Sequence, residues 1–136
     1  MIMEDLDGEH VGYGAFWGEV QSNVHKALGC LGVVTSGSVR DIPMIAPGFQ
    51  MLAGSIVPSH AYVHVVDFGG DVTVHGMAVR SGDLIHADRH GAIVVPIDKI
   101  DAMKAALDGL AAREAKIIAA AKAGGDVAAI KAAMTG

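Results

Sequence analysis

The sequence predicts an α/β domain, and three observations carry that prediction. A helix-period run that begins at Glu19 passes through a glycine link into a short apolar, β-branched run, Gly32-Val33-Val34-Thr35. A helix feeding a buried strand in this way is a building unit of α/β folds. Residues 49–95 then hold short β-rich runs separated by Gly, Asp and Ser turns, and a long helical period follows Pro96.

The totals agree. A chain of 136 residues fits one domain, 1–136, and its 51% hydrophobic content with only 4% aromatic residues suits a core of Val, Ile, Leu and Ala. A net charge of −5, with no stretch that concentrates Lys and Arg, argues against binding to a nucleic-acid backbone. The single Cys excludes an internal disulfide framework. No apolar run reaches the roughly 18 residues of a membrane span. The start, Met-Ile-Met-Glu-Asp, lacks the pattern of a signal peptide, so a soluble cytoplasmic protein is expected.

In chain order, residues 2–6 read as a short strand, followed by a glycine-rich loop that ends in Tyr13, Phe16 and Trp17. These rings are expected either to pack on the core or to wall a site. Val20, Val24, Ala27, Leu28 and Leu31 recur at helical spacing and read as the apolar face of one helix, which Gly29 and Gly32 end. Cys30 reads as a buried thiol. Strands are expected at 49–53, 61–67, 72–74, 84–87 and 92–95. Asp83 and Asp88 read as turn-formers that bond nearby backbone. After Pro96, the spacing of Ile100, Met103, Leu107, Leu110 and Ile117 predicts a long helix. Gly124-Gly125 stops it, and Asp126 caps a last short one.

The chemistry concentrates in residues 18–41. One helix and one strand separate the Gly18-Glu19-Val20-Gln21 turn from Arg40-Asp41, so both ends are expected at one edge of a sheet. A helix start offers unpaired N–H groups to an anion. Arg40 supplies a forked donor for a carboxylate, and Asp41 a hard oxygen for a divalent cation. Two acids, an arginine and a helix start together suit a metal with an anionic substrate. The seven His show no zinc-type spacing, although His60 and His64 share a strand face and His86 and His90 flank a turn.

These residues also resemble a known family. Gly18-Glu19, the run Leu28-Gly29-Cys30-Leu31-Gly32-Val33-Val34, and Gly37-Ser38-Val39-Arg40-Asp41 look like the 4-hydroxy-4-methyl-2-oxoglutarate aldolases, a family shared with the regulator of ribonuclease E activity A. Phe68-Gly69-Gly70 and residues 82–91 resemble its second half. The resemblance implies a swivelling β/β/α-type single domain, with a central sheet core, flanking helices and a long C-terminal helix. It implies a homotrimer or homohexamer with sites between subunits. It also implies a lyase that needs Mg²⁺ or Mn²⁺, cleaves 4-hydroxy-2-oxo acids to pyruvate and decarboxylates oxaloacetate.

By position, Gly18, Glu19, Val20, Gln21 and Arg40 match the substrate-binding residues, and Asp41 the metal-binding one. Glu19, Arg40 and Asp41 are thereby the expected catalytic set. Family members usually carry a longer portion before the Gly-Glu turn, and draw an acid from a neighbour's C-terminal helix, where this chain has Glu114 nearby. The competing expectation is a non-catalytic regulator that binds a ribonuclease.

Overall fold

In the computed structural model, which describes residues 1–135, the β-branched run becomes the middle of a parallel sheet. Strand β2 (Gly32–Val39) lies between β1 (Ile2–Met3) and β3 (Gln50–Ile56), parallel to both. The β2–β3 register pairs Val33 with Met51 and Val39 with Ile56, with an irregularity between Thr35 and Ser38. Val33 and Val39 are buried with Trp17, Ala46 and Phe49, and Met3, Phe16, Ile45 and Met51 close around them. The Val39 end of β2 is the sheet's carboxyl end, the end at which ligands bind in open parallel sheets.

Helix α1 (Glu19–Ala27) crosses between β1 and β2. Gly29, at φ +90°, ends it: the Gly29 N–H bonds the Lys26 carbonyl at 3.0 Å and the Cys30 N–H bonds the His25 carbonyl at 2.9 Å. That paired closure is the Schellman motif, which needs a left-handed residue at its hinge. Cys30 itself is partly rather than fully buried.

The face α1 turns inward corrects the sequence reading. Val20, Val24 and Leu28 are 46–75% exposed, and Leu31 beyond the helix is 86% exposed. The buried position is Ser22, whose hydroxyl donates to the Glu19 carbonyl at 2.8 Å and accepts the Ala46 N–H at 3.0 Å. One turn on, the His25 ring lies 4.7 Å from Trp17. A small hydroxyl that satisfies a buried backbone N–H allows close approach where a branched apolar side chain would not fit.

The remaining strands form two hairpins, β4 (Val72–Val74) with β5 (Met77–Val79) and β6 (Leu84–Asp88) with β7 (Gly91–Val95). Asp83 and Asp88 act as turn-formers: Asp83 accepts the Arg80 N–H at 2.8 Å, and Asp88 accepts the His90 N–H at 2.7 Å. Strand β5 is an element the composition had not singled out. The expected strand at 61–67 does not form; that stretch is loop. Its β-branched residues have no ladder to join, and β-propensity expresses itself only against a neighbour.

The chain falls into two compact units, Met1–Val95 and Pro96–Gly136. The second holds the expected long helix α2 (Ile100–Lys122) and the short α3 (Val127–Thr135). A second Schellman pair at Gly124 and Gly125 ends α2, and the Asp126 carboxylate caps α3 through the Ala129 N–H at 2.9 Å. The mixed α/β class and the long C-terminal helix are both present.

Candidate functional site

The two ends of 18–41 meet. Trp17 and Val39 form a parallel bridge, and the Arg40 N–H donates to the Trp17 carbonyl at 2.9 Å, which sets the Gly18-Glu19 turn beside the end of β2. The Glu19 N–H then reaches Asp41 Oδ2 at 3.3 Å, and Arg40 Nε lies 3.3 Å from the same oxygen. Asp41 takes a left-handed backbone, φ 55°, and starts the 3-10 turn Ile42–Met44, whose Met44 N–H bonds the Asp41 carbonyl at 2.8 Å. That turn swings its carboxylate back over α1.

Gly18 is the spacer that permits this. A Cβ there would lie 2.5 Å from Asp41 Oδ2 and 3.0 Å from Arg40 Cγ. Its backbone is extended, so space rather than φ requires the glycine. Gly18 also provides no side-chain cap, which leaves the Val20 and Gln21 N–H groups at the positive end of the helix dipole.

Arg40 is held on a second side. Its Nη1 donates to the carbonyl of Ala15, and the Ala15 N–H donates to the Ser59 carbonyl at 2.9 Å. Ala15 is fully buried, so the guanidinium is anchored to the core, and the Arg40 side chain is only 16% exposed.

An open depression of about 410 Å³ adjoins these groups, lined by Arg40, Asp41, Ile42, Pro43, Ile56, Val57 and Pro58. The sequence reading did not place the wall formed by Ile42, Pro43, Ile56, Val57 and Pro58 at this site. Strand pairing places it: Ile56 is in register with Val39, and the Val57 N–H bonds the Val39 carbonyl at 3.1 Å. The aromatic trio does not line this depression. Trp17 is core, Phe16 packs against the core, and Tyr13 is exposed with its ring stacked 5.1 Å from His10. A larger hollow of about 1210 Å³, mostly apolar, lies along the N-terminal segment and the 61–72 loop. Gly18, Glu19, Arg40 and Asp41 take no part in lining it, so the convergent polar groups and this larger hollow are separate features.

Among the described residues no three His, Cys, Asp or Glu side chains cluster tightly enough to cage a metal ion. His60 and His64 lie on the loop, and His86 and His90 both face Asp88, at 3.9 and 3.2 Å. Around Asp41 the protein therefore offers at most two such side chains among the described residues. That donor set fits a Mg²⁺-like ion, which keeps several waters and takes one or two carboxylates together with oxygens of the substrate. It does not fit a closed tetrahedral zinc site.

Comparison with known proteins bears on this geometry. The family model described as RraA-like, Aldolase/RraA, matches residues 5–94. Protein DlpA of Legionella pneumophila is 25% identical over 92 residues, which cover 62% of this chain and 14% of that protein. An uncharacterised protein from Pseudomonas syringae pv. tomato superposes with a TM-score of 0.77 at 20% identity, over 98% of this chain and 62% of its own. RraAS2 of Streptomyces coelicolor, described as an unusual member of the RNase ES inhibitor RraA protein family, superposes with a TM-score of 0.67 at 24% identity. That match covers 83% of this chain and 59% of RraAS2. The chain thus spans less than two thirds of the length of each of these relatives.

Proposed function

From the premise that the chain belongs to the RraA-like family, we propose that it is a divalent-metal-dependent lyase that cleaves 4-hydroxy-2-oxo acids to pyruvate and decarboxylates oxaloacetate. The observation that carries this reading is the convergence of the Glu19 N–H and the Arg40 guanidinium on one Asp41 oxygen, at a helix start with further free N–H groups. RraA-like proteins include lyases and ribonuclease inhibitors alike, and the chemistry of a lyase gives each member of this set a role.

The residues divide the work. The outer edge of Arg40 holds the substrate carboxylate, with the Val20 and Gln21 N–H groups as further donors. Asp41 would hold Mg²⁺ or Mn²⁺ beside them, with Glu19 N–H and Arg40 fixing the carboxylate's orientation. A divalent ion there supplies a Lewis acid for the 2-oxo group. The C3–C4 bond breaks, its electron pair remains on C3 as pyruvate enolate, and Arg40 adds positive charge where that enolate oxygen gains negative charge. Glu19, exposed at the helix start, takes the C4 hydroxyl proton through a water. Loss of CO₂ from oxaloacetate leaves the same enolate, so one set of groups serves both reactions.

The test is pyruvate release from oxaloacetate and 4-hydroxy-4-methyl-2-oxoglutarate with Mg²⁺ or Mn²⁺, repeated with EDTA and with Asp41→Ala. Release is expected to fall to the solution background in both controls. Full activity and metal affinity in the folded Asp41→Ala protein would remove the assignment.

The likeness to RraAS2 favours a second reading, a regulator that binds a ribonuclease. Retention of Asp41 weighs against it, and the lyase reading expects no inhibition of an RNase E-type nuclease by the purified chain.

A further inference from the structure

The wall beside Arg40 and Asp41 bears on which 2-oxo acid the site takes. Its five residues, Ile42, Pro43, Ile56, Val57 and Pro58, are all apolar, and Arg40 is the one cation among the lining groups. Backbone donors are scarce as well. Pro43 and Pro58 have no N–H, and the Val57 N–H is spent on the Val39 carbonyl at 3.1 Å. Arg40 has one open edge to offer, because its Nη1 is held by Ala15 and its Nε faces Asp41. With the substrate's own carboxylate taken by Arg40 and the Val20 and Gln21 N–H groups, a second carboxylate against this wall would meet hydrocarbon.

We propose that this site selects 2-oxo acids whose distal end is apolar and uncharged over those that carry a distal carboxylate. The proposal rests on the lyase reading for its chemistry and on the wall for its direction. A carboxylate moved against apolar surface loses hydration without gaining a donor, whereas an alkyl tail gains contact. Each methylene in an apolar pocket discriminates by roughly 10- to 200-fold. The depression is open, so about the lower end of that range is expected. With an apolar C4 substituent the reaction balances as before. 4-Hydroxy-2-oxohexanoate gives pyruvate and propanal: the C3–C4 bond breaks, the hydroxyl proton leaves through Glu19 and C3 gains a proton.

Three measurements on the full chain with Mg²⁺ separate this proposal from its premise. Deuterium exchange into the methyl group of pyruvate, followed by NMR, reads enolate formation without reference to a distal end. Calorimetric titration with 2-oxohexanoate and with 2-oxoglutarate reads the wall, whether or not exchange occurs. The hexanoate is expected to bind about tenfold more tightly, and 4-hydroxy-2-oxohexanoate to be cleaved with a higher kcat/KM than 4-hydroxy-4-methyl-2-oxoglutarate. Val57→Lys is expected to reverse the order, and the more exposed Pro58→Lys repeats that test if the first variant does not fold. Equal or tighter binding of 2-oxoglutarate by the unaltered protein overturns the proposal while exchange leaves the lyase reading standing. Absence of both exchange and binding overturns both.

Discussion

Gly18 shows how narrowly the site is drawn at the scale of single residues. The approach of Asp41 to α1 depends on a missing side chain, since a methyl group at Gly18 would fall 2.5 Å from Asp41 Oδ2. Gly18→Ala is therefore expected to push the carboxylate off the helix start while leaving the fold intact. A displacement near 1 Å in a positioned group costs on the order of 100-fold in rate. The check is a comparable loss in kcat/KM for oxaloacetate with an unchanged urea midpoint. Ala15 acts at the same scale through its backbone: its N–H is held by Ser59 and its carbonyl holds Arg40. The turn after β3 thus helps orient the guanidinium through the Ala15 backbone. Glu19, Arg40 and Asp41 were legible in the sequence because a turn, a helix and a strand of ordinary length return the chain to its starting edge. The Ile56–Pro58 wall was not, because it reaches Arg40 through parallel pairing, and no local pattern of residues records a register.

Helix α1 is the element whose period was read correctly and whose orientation was not. Its apolar residues recur at helical spacing, and the sequence offers no sign that Ser22 would be the buried position. The inward turn is decided by Ala46, a buried residue whose N–H needs the Ser22 hydroxyl. Ser22→Ala leaves that donor unpaired and is expected to cost about 1–3 kcal/mol, read from urea unfolding. The failed strand at 61–67 teaches the complementary lesson, that suitable residues without a partner edge remain loop. The β6–β7 hairpin gives a pH-dependent case. The His90 backbone N–H foremost, then the His90 ring, hold the Asp88 carboxyl below the ordinary carboxylate range. Its folded value thus lies below its unfolded one. The stabilisation is complete above the unfolded value and is lost as pH falls through the folded one. An NMR titration is expected to give Asp88 a lower midpoint in the folded protein than in the unfolded chain.

For the whole molecule, Val20, Val24 and Leu28 form an exposed apolar stripe along α1. The trimer or hexamer implied by the family resemblance would account for it. Light scattering is expected to report a multiple of the chain mass, and Leu28→Glu to lower it with the helical circular dichroism retained. A monomer in both cases would remove this account. No helix among the described residues is long and apolar enough to cross a membrane.

One helix therefore carries the stripe along its side and uncapped N–H groups at its head. Whatever covers the stripe would also restrain the groups proposed to meet the substrate. Association and ligand binding then become linked equilibria, each strengthening the other by the same factor. Specific activity would fall on dilution, and a 2-oxo acid would draw the subunits together.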